Sequence, residues 1–213
     1  MAERPAWTWN EKGFVERREF SFAWNGGFAI SQKRKNIKNL HEAMQERGCA
    51  PALEISTKSE TPFGNRLSAF HLKIDGIYLE NIFQASKVYQ NGGPYLDLLS
   101  VEPKDAKRDE RHKTSGPLIA FQWKETRWNL VPRTAFYDYL YVLAAKNTIG
   151  EDDLREILEY QWFTDIEFNP QKSINCQARS AALLKHIVAA CRWDVLEDTQ
   201  TWMRFHKTAV REW

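Results

Sequence analysis

The sequence is short of several things, and each shortage excludes a class of protein. There are three cysteines, Cys49, Cys176 and Cys191. The number is odd, and no CxxC or Cys/His zinc spacing occurs. Neither a disulfide scaffold nor a zinc module is expected, and a reducing, cytoplasmic compartment fits. No apolar run approaches the ~18 residues of a membrane helix, so no membrane association is expected. The stretch from Met1 to Pro5 lacks the apolar core of a signal peptide. Net charge is nearly absent: 30 Lys+Arg stand against 28 Asp+Glu, giving +2. That balance does not suit a protein that grips nucleic acid by bulk charge alone. Also missing are a glycine-rich phosphate loop after a strand, a nucleophile elbow, a zincin motif, βαβ alternation, internal repeats and a Pro/Gly/Ser linker.

What is present describes a globular chain. Of its 213 residues, 43% are hydrophobic and 27% charged, enough apolar surface for one core. Residues 1–15 are polar and punctuated by Trp, and are expected to be loosely held, with a single domain over 16–213. The nine Trp suit core packing, or a ligand site for a planar base.

The coarse pattern is α+β and predominantly helical, with a few short strands and hairpins. Phe20 to Trp24 reads as a strand closed by Asn25-Gly26-Gly27. A helix carrying Ile37, Leu40 and Met44 follows, with Gly48 past its end. Leu53 to Ser56 reads as a strand. Leu67 to Ile74 alternates, and Asp75-Gly76 is a two-residue hairpin signal leading into Tyr78. After Glu80 the pattern turns helical through Ile82, Phe83, Ala85 and Val88-Tyr89. Pro94 and Pro103 read as first-turn prolines. Leu118 to Lys124 and Trp128 to Leu130 form a second hairpin. Pro132 opens a helix with Ala135, Phe136, Tyr139, Leu140, Leu143 and Ala144 on one face. Glu151 to Asp153 start another that runs to Tyr160. Ser173 is expected to cap a long helix through Val188, and a last helix runs from Asp194 through Trp202.

Chemically, the informative residues are polar ones inside apolar segments. Glu80 sits beside Leu79, Ile82 and Phe83. Asp165 sits within Trp162 to Phe168. A buried carboxylate must be paired, capped or functional, because leaving it unpaired costs several kcal/mol, of order ~3–5. Two such groups suit glycosidic chemistry, one steadying charge at the sugar carbon and one handling water. The basic run Lys33-Arg34-Lys35 reads as a solvated helix start. Against that usual reading, cations are disfavoured at the positive end of a helix, which would suit a phosphate ligand or a lysine of lowered pKa. The five histidines show no ligand spacing, and Cys176 reads as packing.

Motifs spread in order over residues 80–184 carry a resemblance to a known family. Glu80 to Lys87 resembles the E-x-x-F-Q-A-x-K signature of the NADAR (YbiA-like) family, and Pro103 to Arg111 resembles its P-x-x-A-K-R-x-x-R. Arg127-Trp128 stands where the family has its Trp, Asp165 to Asn169 where it has D-x-x-W-G, and Asn175 and Ala178 where it has G-x-N-x-x-G. The stretch Phe163 to Ser180 is similar to the branch of antitoxins encoded beside DarT-type toxins. The resemblance implies a helical α+β fold and a pocket for ADP-ribose. For this branch it implies hydrolysis of the N-glycosidic bond between ADP-ribose and guanine in DNA or RNA, reversing the toxin's modification. By position, Glu80, Trp128 and Asp165 are the implied functional residues, and Lys35 is the candidate for an amine forming a Schiff base with the ribose. Lys33, Lys87, Arg108 and Arg179 are candidates for the diphosphate, and Asn169 and Asn175 for further substrate contacts. Trp128 is expected to stack on a base. No cofactor and no metal are expected. The expected partners are ADP-ribose, ADP-ribosylated nucleic acid and a cognate DarT-type toxin. The alternatives are an N-glycosidase of riboflavin-pathway intermediates and a non-catalytic ADP-ribose-binding antitoxin.

Overall fold

Helix outweighs strand, 44% to 19%, in a computed structural model that describes residues 1–171 and 173–211. Residues 172, 212 and 213 of the expected domain lie outside the described residues. In chain order the elements are β1 (Ala2–Trp9), β2 (Val15–Phe22), α1 (Ile30–Gln45), β3 (Ala52–Glu54), α2 (Pro62–Arg66), β4 (Lys73–Ile74), β5 (Ile77–Tyr78), α3 (Leu79–Ala85), β6 (Lys87–Tyr89), α4 (Pro103–Arg108), α5 (Arg111–Thr114), β7 (Leu118–Trp123), β8 (Thr126–Trp128), α6 (Ala135–Ile149), β9 (Trp162–Thr164), α7 (Gln177–Ala189) and α8 (Thr199–Ala209). Single 3-10 segments occupy Leu96–Ser100, Asp153–Glu159 and Trp193–Leu196. The architecture is mixed α+β.

The main sheet has the order β2-β1-β9-β3, with β3 and β9 parallel and the other pairs antiparallel. Its two faces pack differently. On one, Ile37, Leu40 and Met44 of α1 meet Phe20, Phe22, Trp162 and Ile166. On the other, Trp7 and Phe163 join the large core built around α6 and α7. The apolar stripe of α1 is thus the one its spacing predicted.

The amino-terminal segment departs from expectation. Residues 1–15 are not loosely held: β1 is an inner strand of the sheet, and Ala6 and Trp7 are buried. Their partners Thr164 and Phe163 lie far along the chain, so no local pattern advertises the pairing. Other differences are local. The hairpin at Asp75-Gly76 forms, both residues adopting positive φ (52° and 82°) as the tightest hairpin turn requires. However, only Lys73–Ile74 of the alternating stretch is strand. Val88 and Tyr89 lie in β6, not in the helix. The helix after Pro132 starts at Ala135 and is buried on most sides, which suits a central helix instead of a one-faced one. Asp153–Glu159 is 3-10. Ser173 does not cap α7: the helix begins at Gln177, and the Ser173 hydroxyl donates to Asn175 O (3.0 Å). The last α-helix starts at Thr199, where the Asp198 carboxylate accepts from the Gln200 and Thr201 amides.

A candidate active site on a buried polar helix

Every residue of α3 is buried, including three polar ones: Glu80, Asn81 and Gln84. Such a helix is stable only if its polar groups find partners. The Asn81 amide donates to Leu98 O and Val101 O (both 2.7 Å), tying α3 to the 3-10 segment. The Gln84 amide donates to Glu80 Oε1 (2.7 Å), and Gln84 Oε1 accepts from Lys87 Nζ (2.6 Å). Glu80, Gln84 and Lys87 therefore form one chain along a helix face and the first residue of β6. Lys107 Nζ of α4 stands 4.0 Å from Glu80 Oε1.

This chain forms part of the wall of a cavity of about 730 Å³, which Lys107, His112, Phe121, Arg133, Tyr137 and Asn175 also line. Burial holds the Lys87 amine down to about 8 against its ordinary 10.5, with the charge of Glu80 opposing and that of Lys107 assisting. Burial lowers His112 as well, with the Lys87 charge adding to it. Its Nε2 lies 2.9 Å from Ala106 O and must donate there, so Nδ1 of the neutral ring accepts from the Tyr89 hydroxyl (3.0 Å). Burial pushes the Tyr137 hydroxyl well up, and the charges of Glu80 and Asp165 both add to this. Asn175 Oδ1 is buried without a partner among the described residues, an acceptor left for a ligand.

Asp165 is buried just past β9. It accepts from the Glu167 amide and from Gln177 Nε2 (both 3.0 Å). Burial, and next the charge of Glu54, raise it to about 8. Glu54 at the end of β3 is also raised by burial, although it accepts from Ser56 Oγ (2.7 Å), Thr164 Oγ1 (2.6 Å) and the Ile166 amide (2.9 Å). Neighbouring buried carboxylates cannot both ionise cheaply, which favours a proton on the pair.

A sequence model described as DarT1-associated NADAR antitoxin matches residues 2–212. The chain belongs to that family. No curated protein matches it. As a member of the NADAR antitoxins it has a DarT-type toxin as its counterpart.

The structure sorts the residues that the NADAR resemblance singled out. Glu80, Lys87 and Asn175 meet at the cavity. Asp165 lies outside its lining. Lys35 does not reach this cavity: the buried stripe of α1 begins one residue later, at Asn36, and Lys35 lies exposed beside Ser31, Arg34 and Glu60. Lys33 pairs with Glu167 (3.1 Å) and sits over the Trp24 ring. Trp128 is a core side chain and not an open stacking face. The β7–β8 register sets it opposite Phe121, against Phe136 and Tyr139, and it is 3% exposed. Arg108 is exposed at the end of α4, and its neighbour Lys107 faces Glu80 instead. Asn169 does not line the cavity; its side chain accepts from the Gln171 amide (2.9 Å). Arg179 is bound to Asp138 (3.0 Å).

Sequence reasoning missed Glu54, Gln84, Lys107, His112 and Tyr137. Gln84 and Lys107 stood inside quoted motifs, one helical turn from Glu80 and one residue from Arg108. Glu54 offered a signal of the kind used for Asp165, a carboxylate between Leu53 and Ile55. Tyr137 offered none, being one more aromatic in an aromatic helix.

Proposed function

We propose that this antitoxin is an ADP-ribosyl glycohydrolase that cleaves the N-glycosidic bond between ADP-ribose and guanine bases of nucleic acid, with Glu80 and Lys87 as its catalytic residues. The observation that carries the reading is the Glu80–Gln84–Lys87 chain: a carboxylate and an amine of depressed pKa on one wall of a cavity large enough for a nucleotide-sized ligand. Lys87 takes the amine role first given to Lys35. At a pKa of about 8, roughly a tenth of the amine is neutral and nucleophilic near pH 7.

The Lys87 lone pair bonds to the anomeric carbon while the carbon–nitrogen bond to guanine breaks. The electron pair leaves with the guanine nitrogen, which receives the proton lost by the amine. Glu80 stabilises the positive charge that develops at the ribose and relays that proton. The ribose ring opens as its oxygen takes a proton from water by way of Glu80, and the adduct becomes a protonated Schiff base. Water adds to it, and collapse frees ADP-ribose and the amine. Asp165 takes no step in this chemistry and is assigned a supporting role, its charge being felt at Tyr137 of the lining.

The test is a single-turnover assay on an oligonucleotide carrying ADP-ribose on guanine, following oligonucleotide mass and released ADP-ribose. Restoration of the unmodified mass is expected, with at least a hundredfold loss, the order of one positioned catalytic group, in Glu80→Gln. The Gln84 amide can still donate to the new carbonyl oxygen, so this variant should fold. Binding of ADP-ribose with no release would leave a non-catalytic antitoxin. Release only from a small ribosylated pyrimidine would move the activity to metabolism.

A further inference from the structure

A second cavity, of about 360 Å³, adjoins the first and shares Arg133, Ser173 and Ile174 with it. Its lining is basic, although Arg179 and His206 contact Asp138 and Arg17 pairs with Glu19. Arg17, Arg133, Arg179 and Arg211 line it together with His206, and among the described residues no carboxylate does. Arg17 comes from β2 and Arg211 from the chain just past α8, at opposite ends of the sequence, and Arg179 comes from α7. The cluster is therefore built by the tertiary fold and is not a local run of charge.

Its nitrogens are incompletely used. Arg179 is 5% exposed, and its terminal nitrogens are held by Asp138 and by Ile174 O (3.2 Å), yet its Nε has no partner among the described residues. The same holds for Arg17 Nε, although that side chain pairs with Glu19. The wholly buried His206 uses its Nε2 on Asp138 Oδ2 (2.8 Å). Buried donors without partners are costly, which marks a place where a ligand supplies the acceptors. Convergent guanidinium groups match the paired oxygens of phosphate.

We infer that this cavity holds the diphosphate of the ADP-ribosyl group, leaving the ribose–guanine junction in the Glu80 cavity next door. The inference rests on the glycohydrolase reading. A tethered diphosphate suits the cavity better than a strand backbone does. Arg179 and His206 lie deep, and a continuous phosphodiester would have to enter and leave past them, whereas a group attached at one end can reach in. The larger cavity is then free for the modified base.

The probes are ADP and an unmodified single-stranded oligonucleotide, titrated calorimetrically against the full chain. Arg179 and His206 hold Asp138, so the variants are Arg17→Gln and Arg211→Gln, with the exposed Lys38→Gln as control. The expected result is ADP affinity weakened on the order of tenfold by each arginine variant, as loss of a charge-assisted contact implies, and unchanged by Lys38→Gln. Equal ADP affinity in all three variants would overturn the assignment. So would a loss confined to the oligonucleotide, which would give the arginines to the strand backbone. ADP binding that depends on the arginines, in a protein that releases no ADP-ribose from modified oligonucleotide, would uphold the cavity assignment and refute the glycohydrolase.

Discussion

At the scale of single residues, Lys87 and Glu80 answer to each other. Glu80 raises the Lys87 pKa and burial lowers it, burial prevailing to leave it at about 8. In the proposed glycohydrolase only the neutral amine attacks, so the hydrolysis rate at saturating substrate should climb with pH and level off above about 8. In Glu80→Gln the favourable charge is gone. The residual activity, or the midpoint of Lys87 modification by an amine reagent, should then shift to lower pH. Borohydride should trap wild type on ADP-ribose. Trapping should vanish in Lys87→Arg, which keeps a positive charge but has no nucleophilic amine, and persist in Lys35→Ala. Trapping that is lost in Lys35→Ala and retained in Lys87→Arg would return the amine to α1. That Lys87 and not Lys35 lines the cavity could have been read from the motif, since Lys87 stands seven residues after Glu80, on the same helical face extended. A basic run after a Gly-Gly turn draws attention by its charge, yet three consecutive cations on one amphipathic helix mostly face water.

At the scale of elements, what could be read followed the range of the forces involved. The α1 stripe, the Asp75-Gly76 hairpin and the start of α3 depend on neighbours a few residues away, and their patterns were visible. The end of α3 was not. Val88 and Tyr89 continue an apolar spacing, but β6 pairs there with β7, and pairing partners override a weak periodicity. Trp128 shows the same limit. Its place before a long helix is plain in the sequence, while its burial comes from the β7–β8 register and from α6. A buried indole filling that space makes its removal a stability defect. Trp128→Ala should cost about 3–5 kcal/mol of unfolding free energy and Trp128→Phe less, measured by urea denaturation. Weakened ADP-ribose binding at unchanged stability would instead make Trp128 a ligand contact.

At the scale of the whole molecule, the sheet joins chain ends that local patterns cannot connect, and the Glu54–Asp165 pair sits where β3 and β9 run parallel. That position has a consequence for pH. Asp165 ionises near its ordinary 3.8 when unfolded and at about 8 when folded, so between those values the folded protein binds the extra proton. Its stabilising effect is complete below the unfolded value and is lost as pH rises through the folded one. Asp138 runs the other way. The Arg179 charge and the His206 contact outweigh burial and hold its carboxyl well below the usual range, so its contribution is present at neutral pH and lost in acid. The two opposing slopes predict a stability maximum on the acid side of neutrality. Urea midpoints should fall from about pH 5 to about pH 8 in wild type. In Asp165→Asn that decline should flatten, even if the variant starts lower because its amide faces the Gln177 donor. An equally steep decline in the variant would mean that the titrating proton belongs elsewhere, and that Asp165 is ionised at neutral pH.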